Sequence, residues 1–217
     1  MLSRISYASF LLWDPRPVDA DGRRLRDFVR VDLKQDRVIS YGGERASELV
    51  ARRMQENLGR DSPIRRFLNE AVLVPAPRSA PLVRGAVWPA ARIAEAMIAR
   101  GFGHTVVRLL ERIAAVTTSH TVVGRERPWP DTHRNSLAVE RELPVDFAGR
   151  LIVVDDVLTR GSTLLGCAQA LKAAYPDAEV GGFAAFRTLK EGHAMPPDPK
   201  VPAVGEIWQD GPMHREP

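Results

Sequence analysis

The sequence has a single cysteine, Cys167, and no apolar run near the roughly 18 residues that span a membrane. One cysteine excludes an internal disulfide and a cysteine-rich metal site, so a reducing, cytoplasmic setting is expected. The N-terminal segment lacks the apolar stretch of a signal peptide, and no membrane association is expected. Within its predicted helix, Cys167 is interpreted as a small buried apolar residue and not as a nucleophile.

The chain also lacks the blocks of lysine and arginine with interleaved aromatic residues that are typical of nucleic-acid-binding surfaces. The formal net charge is only +4 over 217 residues, and the arginines are scattered. A nucleic-acid partner is therefore not expected, whereas a polyphosphate ligand suits the mild positive charge. The length indicates one domain, or one domain with a small appendage, with enough chain to bury a sizeable core.

Apolar strands and helical segments alternate through the middle of the chain. Strands are predicted at 71–75, 105–110, 150–156 and 178–186, and helices at 89–100 and 164–172. Such alternation is typical of a parallel sheet with helices on both faces, in which ligands bind beyond the carboxyl ends of the strands. We therefore predict an α/β fold with a doubly wound parallel sheet, and we assign residues 71–190 to its core domain.

Two flanking regions are predicted around this core. Residues 1–70 are expected to form a small N-terminal β-rich hood that also contains helices. Its strands are predicted at 5–13, 28–33 and 36–41, and its helices at 44–58 and after Ser62-Pro63. Residues 191–217 are interpreted as a proline-rich C-terminal tail, with Ile207-Trp208 docking on the body. Inside the core, the irregular segment 111–139 is interpreted as a functional loop or lid.

The stretch from Leu151 to Thr163 is the most informative one in the chain. Four apolar residues are typical of a strand buried on both faces, and Asp155 and Asp156 follow where that strand should end, which predicts exposed carboxylates. A loop with hydroxyl side chains then leads into a helix, whose N–H groups and dipole favour an anion. Two carboxylates beside an anion site suit a phosphorylated ligand with sugar hydroxyls or Mg²⁺. The alternative is a generic strand whose acids cap the next helix, although capping needs only one acid.

These thirteen residues resemble the phosphoribosyl pyrophosphate (PRPP) motif of type I phosphoribosyltransferases, which has four apolar positions, two acids, two apolar positions and a loop ending in Gly-x-Thr. All thirteen positions hold an accepted residue type. The resemblance implies a type I phosphoribosyltransferase-like sheet and an enzyme that transfers the 5-phosphoribosyl group of PRPP to a nitrogen acceptor, with release of pyrophosphate. It implies Mg²⁺ as cofactor and PRPP with a small-molecule nitrogen acceptor as partners, and it allows a homodimer.

The resemblance also implies roles for the matching residues. Asp155 and Asp156 are implied to hold the ribose hydroxyls and the Mg²⁺, as catalytic and metal-binding residues. The 5-phosphate is implied to bind the loop that follows them, at Thr159, Arg160, Gly161, Ser162 and Thr163.

The loop after the first core strand stands where these enzymes bind the leaving pyrophosphate. Its Arg78 and Ser79 supply a charged and a neutral donor, although a proline-rich surface loop is the plain alternative. In the irregular segment, Arg112 and Arg134 are the catalytic candidates for stabilising the departing charge, and Arg127 is a further one. His133 is a candidate acid or base, although a loop histidine is more often only solvated.

Residues 72–79, followed by Arg84-Gly85, resemble the competence-protein-F-like branch of this family. That branch often has an N-terminal cysteine-based zinc module, whereas no cysteine precedes Cys167 here. At the position of Thr159, the resembling 6-oxopurine salvage enzymes carry an acid that acts as a base toward the nucleobase. Threonine does not supply that base, so hypoxanthine and guanine are not expected as acceptors. The alternative function is a non-catalytic PRPP- or nucleotide-binding regulatory protein.

Overall fold

The computed structural model describes residues 2–39, 42–116, 128–190, 192–193, 195–196 and 203–216. Its strands are β1 (Arg4–Trp13), β2 (Val72–Pro75), β3 (Thr105–Val106), β4 (Leu110–Arg112), β5 (Leu137–Val139), β6 (Arg150–Leu158), β7 (Glu179–Thr188), β8 (Ala203–Gln209) and β9 (Met213–Glu216). Its helices are α1 (Ala20–Asp27), α2 (Leu33–Gln35), α3 (Ala46–Asn57), α4 (Pro63–Leu68), α5 (Pro89–Ala99), α6 (Pro130–Asn135) and α7 (Ser162–Ala174). A π-helical turn, Phe28–Asp32, joins α1 to α2.

Seven strands form one mostly parallel sheet in the order β3-β2-β6-β7-β1-β8-β9. The first five of these are parallel to their neighbours, whereas β8 and β9 are added antiparallel at the β1 side. Strands β4 and β5 pair separately as an antiparallel ribbon. The prediction of an α/β fold is confirmed at this level.

Alternate residues of the central strands feed two apolar clusters, as the period of two in a β-strand requires. In β6, Ile152 and Val154 belong to the first cluster, which also contains residues of α3, α4 and α5. Leu151 and Val153 belong to the second cluster, which contains the apolar face of α7. Helices therefore cover both faces of the sheet, and the carboxyl ends of β2 and β6 meet at the same edge.

The predicted core elements match β2, α5, β6, α7 and β7 closely, with two differences of extent. The apolar run predicted as one strand at 105–110 is divided, because Thr105–Val106 pairs with β2 while Leu110 begins β4. Strand β6 continues to Leu158, so the two acids lie inside it. The irregular segment 111–139 contains the end of β4, α6 and β5, and its residues 117–127, Arg127 among them, lie outside the described residues.

The N-terminal region differs most from the prediction of a β-rich hood. Strand β1 forms, but it belongs to the main sheet, between β7 and β8. The strand predicted at 28–33 is wrong, because this stretch is helical and buries Val29 and Leu33, which are four residues apart on one helix face. Of the strand predicted at 36–41, only a single bridge from Val38 to Arg45 is seen, and residues 40–41 lie outside the described residues.

The C-terminal region forms the hairpin β8–β9 instead of a simple tail. Strand β8 pairs with the full first half of β1, and Ile207 is fully buried, which confirms the predicted docking of this residue. Helices at 46–57 and 63–68 confirm the two that were predicted there. Within the described part of the chain, no helix has the length and apolar character needed to cross a membrane.

Helix α6 is seated against α7 at Gly166. A Cβ at this position would lie 2.5 Å from the Pro130 carbonyl oxygen and 2.7 Å from the His133 Cβ. Alanine is the better helix former by roughly 1 kcal/mol, but these contacts leave no room for its methyl group. We expect Gly166→Ala to lower the free energy of unfolding by about 1–3 kcal/mol, measured by urea denaturation.

The control for this variant is Gly59→Ala. An added Cβ at Gly59 meets nothing within 4 Å, so its stability should stay within about 0.5 kcal/mol of the wild type. A Gly166→Ala protein as stable as the wild type would contradict the close seating of α6 on α7.

Candidate functional site

A cleft opens at the edge of the sheet where β2 and β6 end. Many of the predicted site residues line it together: Arg78, Ser79, Arg112, Asp155, Asp156, Thr159 and Thr163. Lys34, Trp88 and His133 complete its polar and aromatic lining. A second cavity adjoins it at Asp155, Thr159 and Thr163 and extends along residues 157–164. The structure thus brings together the acids, the hydroxyl-rich loop and the loop after β2.

The hydroxyl-rich loop is short, because β6 ends at Leu158 and α7 begins at Ser162. Gly161 precedes the helix with a φ of +96°, a left-handed conformation that favours glycine. The first turn of this 13-residue helix has N–H groups without intrahelical partners, and they adjoin the second cavity. Arg160 is exposed beside them, whereas Ser162 and Thr163 are half-buried.

The two carboxylates are less exposed than the sequence predicted, and that expectation is wrong. Strand β6 runs through both acids and pairs with β7 as far as Leu158 opposite Arg187. Asp156 is therefore buried, with 5 % of its surface exposed, and Asp155 is half-buried. The Asp155 carboxylate accepts a hydrogen bond from the Asp156 backbone N–H at 2.9 Å. The Asp156 carboxylate accepts one from the Val157 backbone N–H, also at 2.9 Å.

Lys34 is a site residue that sequence reasoning missed. Its ammonium group forms an ion pair with the Asp156 carboxylate at the cleft wall. The lysine lies in α2, directly after the turn that was predicted as a strand, and no motif marks it in the sequence. The helical conformation of residues 28–35 is what brings Lys34 to the sheet edge.

The ion pair between Lys34 and Asp156 gives the two acids different pKa values. Burial and the charge of Asp156 raise the pKa of Asp155 to about 7, against the opposing effect of Lys34. Burial also disfavours the charged form of Asp156, but its contact with the Lys34 ammonium holds the Asp156 pKa below its ordinary value. Near neutral pH, Lys34 and Asp156 are charged while Asp155 is close to half-protonated.

Arg112 connects three parts of the cleft wall. It is buried in β4, and its Nε donates to the Arg78 carbonyl oxygen at 2.9 Å. A second nitrogen donates to the His133 carbonyl oxygen at 3.3 Å and to the Ser136 hydroxyl. These partners are neutral oxygens, so they orient the guanidinium without cancelling its charge. Burial lowers the pKa of Arg112, and the group remains a cation at neutral pH.

His133 is buried, with 4 % exposed, which corrects the interpretation of a solvated loop histidine. Neither ring nitrogen has a hydrogen-bond partner among the described residues. Burial and the charge of Arg112 lower the His133 pKa to about 4. The ring is therefore neutral near pH 7, with one donor and one acceptor that have no partner among the described residues.

The loop after β2 is held by hydrogen bonds on both sides. One Arg78 nitrogen donates to the Val87 carbonyl oxygen at 3.0 Å, and the side chain is otherwise exposed. The Ser79 carbonyl accepts from the Val116 N–H at 2.7 Å, and the Trp88 indole donates to the Ala76 carbonyl at 2.7 Å. The loop is thus fixed while most of the Arg78 donors face solvent.

Two other predictions have simpler outcomes. Arg134 lies on α6 and contacts Asp131 and Asn135, and it is not among the residues that line either cavity. Cys167 is fully buried in α7, and burial raises its pKa to about 12, which fits the predicted role as a small apolar residue.

The acids at this edge are the residues that suit a metal ion. Among the described residues, no group of three or more histidine, cysteine, aspartate or glutamate side chains is placed to hold one. Magnesium, however, is commonly held by one or two carboxylates together with substrate phosphates and water. Both acids line the cleft, where the half-buried Asp155 suits such an ion, whereas Asp156 is already paired with Lys34.

Comparisons with known proteins add no family assignment. No protein-family model matches this chain, and no curated protein matches it with significance.

The raised pKa of Asp155 predicts an effect of pH on stability. The folded protein binds the Asp155 proton more tightly than the unfolded chain does, so the free energy of unfolding falls as pH rises from about 4 through about 7. We expect Asp155→Asn to raise the free energy of unfolding at pH 8 by about 1–2 kcal/mol, and to change it little at pH 5.

Asp156→Asn is the matched comparison for that experiment. Its charge is stabilised by Lys34, so this variant should be destabilised at both pH values in urea denaturation. A shift of equal size at pH 5 and pH 8 for Asp155→Asn would contradict the protonation assigned to Asp155.

Proposed function

We propose that this protein is a Mg²⁺-dependent phosphoribosyltransferase that transfers the 5-phosphoribosyl group of PRPP to a nitrogen acceptor and releases pyrophosphate. The observation that carries the proposal is the placement of residues 151–163. This stretch forms a strand, a loop and a helix start, and its two acids share a cleft with Arg78 and Ser79. The proposal includes the type I phosphoribosyltransferase-like arrangement of the sheet, to which the order β3-β2-β6-β7 lends support.

PRPP carries three groups that a protein recognises: the 5-phosphate, the ribose hydroxyls and the pyrophosphate. The cleft has residues suited to each of them. The N–H groups and hydroxyls of residues 159–163 suit the 5-phosphate, since a helix start and hydroxyl donors favour an anion. Asp155, half-buried and at the junction of the two cavities, suits the ribose hydroxyls as a hydrogen-bond acceptor. Arg78, with its free donors, and Ser79 suit the pyrophosphate.

In the proposed reaction, the bond from C1 of the ribose to the pyrophosphate oxygen breaks, and its electron pair leaves with pyrophosphate. The nitrogen lone pair forms the new C1–N bond, and the nitrogen releases its proton. Bound Mg²⁺ supplies charge neutralisation for the pyrophosphate, and Asp155 and Asp156 are the residues that would hold it.

The protein's contribution to this reaction is positioning and charge. Arg112 is fixed by neutral oxygens, so its charge is available to stabilise the negative charge that develops on the leaving group. Neutral His133 lines the same cleft and adds no positive charge to it. The acceptor nitrogen compound is proposed only as a class.

One observation favours a second candidate function, a non-catalytic PRPP- or nucleotide-binding regulator. The Lys34 ammonium already neutralises Asp156, which reduces the negative charge available to a metal ion. A binding protein tolerates this arrangement more readily than a metal-dependent enzyme does. Pyrophosphate release from PRPP in the presence of an acceptor would exclude a purely regulatory role.

Titration calorimetry with PRPP, with and without Mg²⁺, tests the proposal. We expect binding that is strengthened by Mg²⁺, and we expect Asp155→Asn to weaken it by about 100-fold, because hydrogen bonds from the ribose to a charged acceptor are lost. The Asn side chain keeps the shape of the site, so the fold should be retained.

Glu179→Gln provides the control, because Glu179 lies at the opposite end of the β6–β7 pair and bonds Arg150 on the surface. It should bind PRPP as the wild type does. Absence of PRPP binding by the wild type in both conditions would refute the proposal.

The threonine at position 159 predicts that 6-oxopurines are not acceptors. Thr159 lines both cavities but has no acidic group to act as a base toward a 6-oxopurine. We expect no formation of inosine or guanosine monophosphate from PRPP with hypoxanthine or guanine, as followed by liquid chromatography. Robust formation of either nucleotide would contradict the role assigned to this position.

A further inference from the structure

The C-terminal hairpin β8–β9 contacts the loop between β6 and α7. Arg215 of β9 is 6 % exposed, and its guanidinium donates to three backbone carbonyl oxygens. These are Leu158 at 3.1 Å, Thr159 at 2.7 Å and Thr188 at 2.7 Å. One side chain thus ties the ends of β6 and β7 to the start of the hydroxyl-rich loop.

The direction of these bonds fixes the orientation of the loop peptides. In a trans peptide, the C=O and the N–H point in opposite directions. Because the carbonyls of Leu158 and Thr159 point to Arg215, the N–H groups of Thr159 and Arg160 are turned away from it. Thr159 and Arg160 line the second cavity, and Arg215 is not among its lining residues.

Gly161, two residues after Thr159, lies against β8. A Cβ at Gly161 would lie 2.6 Å from the Ile207 Cγ2, and Ile207 is fully buried. Glycine is therefore required at this position both for its φ of +96° and for the close approach of Ile207. Two residues of the hairpin, Arg215 and Ile207, thus lie against Leu158 at the end of β6 and against Thr159 and Gly161 of the loop.

Arg215 also carries a charge that its partners leave uncancelled. Its hydrogen-bond acceptors among the described residues are neutral carbonyls. Burial lowers its pKa to about 10, so the guanidinium remains protonated at neutral pH. A fixed cation beneath a loop favours an anion on the other side of that loop.

We infer that Arg215 is a positioning residue for phosphate binding: it orients the two peptides between Leu158 and Arg160 so that the Thr159 and Arg160 N–H groups face a bound phosphate monoester. The inference rests on the proposed function, because it assigns the support of the same 5-phosphate site to the C-terminal hairpin. It extends that site to a residue about 50 positions further along the chain, outside the motif that the sequence marks.

Two probes separate this role from general stabilisation of the fold. Ribose 5-phosphate tests the loop, and inorganic pyrophosphate tests the distant Arg78–Ser79 wall, both by titration calorimetry. We expect Arg215→Gln to bind ribose 5-phosphate about tenfold more weakly, because lost loop geometry weakens several N–H contacts together. Its affinity for pyrophosphate should change less than about twofold.

Two further variants make the comparison decisive. Arg215→Lys keeps the charge but not the fork of donors, and it should weaken ribose 5-phosphate binding by about threefold. If Arg215→Gln does not fold, Arg215→Lys takes its place in the comparison of the two probes. Arg4→Gln is the control, because Arg4 bonds Glu206 of the same hairpin on the exposed surface, and both probes should bind it as they bind the wild type.

Each outcome decides a separate question. An equal loss of both probes, or no loss of either, in the Arg215 variants would overturn the positioning role. A wild type that binds pyrophosphate but not ribose 5-phosphate would refute the proposed 5-phosphate site itself, and the inference would fall with it. A wild type that binds neither probe would count against the proposed function as a whole.

Discussion

The arrangement at the sheet edge depends on two adjacent carboxylates inside a paired strand. Consecutive residues of a strand face opposite sides of the sheet, so Asp155 continues the row of Leu151 and Val153, and Asp156 that of Ile152 and Val154. Each acid therefore meets a different layer of the protein. Asp156 meets Lys34 from the N-terminal helices, whereas Asp155 is turned toward the layer that contains α7 and Arg112. The acids differ in protonation because only one of them has a cation in contact.

Among the described residues, the arginines around the cleft differ in their partners from several arginines on the surface. On the surface, Arg52 pairs with Glu44 and Glu56, and Arg150 pairs with Glu179. Around the cleft, Arg78, Arg112 and Arg215 instead donate to backbone carbonyls or a hydroxyl. Carbonyl partners fix a guanidinium in place without neutralising it, so positive charge is concentrated at one edge of the sheet. This edge is suited to a polyanion, although the net charge of the whole chain is modest.

The sequence predicts well the features that depend on residues close together in the chain. It misses the contacts between residues that are far apart in the chain. The strand, loop and helix of 151–163 follow from residues that are neighbours in the chain, and the cleft forms around them. The apolar pattern at 28–33 is compatible with the period of a strand and with that of a helix. Only packing against the core selects the helix, which buries Val29 and Leu33. Lys34 and Arg215 reach the site through that helix and through the pairing of β8 with β1, contacts that span more than a hundred residues. Local patterns carry no information on such pairings.

The cleft holds groups that are unfavourable in the free protein and that a ligand of the proposed kind would stabilise. A buried histidine without hydrogen bonds costs on the order of 1–3 kcal/mol, and His133 has neither nitrogen paired among the described residues. Burial and the charge of Asp156 raise the pKa of Asp155, so its ionised form is disfavoured there. A ligand that brings hydroxyl donors to Asp155 and phosphate oxygens to Arg112 relieves these costs, and it stabilises the ionised form of Asp155 as it binds. Poorly compensated polar groups at one edge of an otherwise well-packed sheet indicate that ligand binding is the reason for their placement.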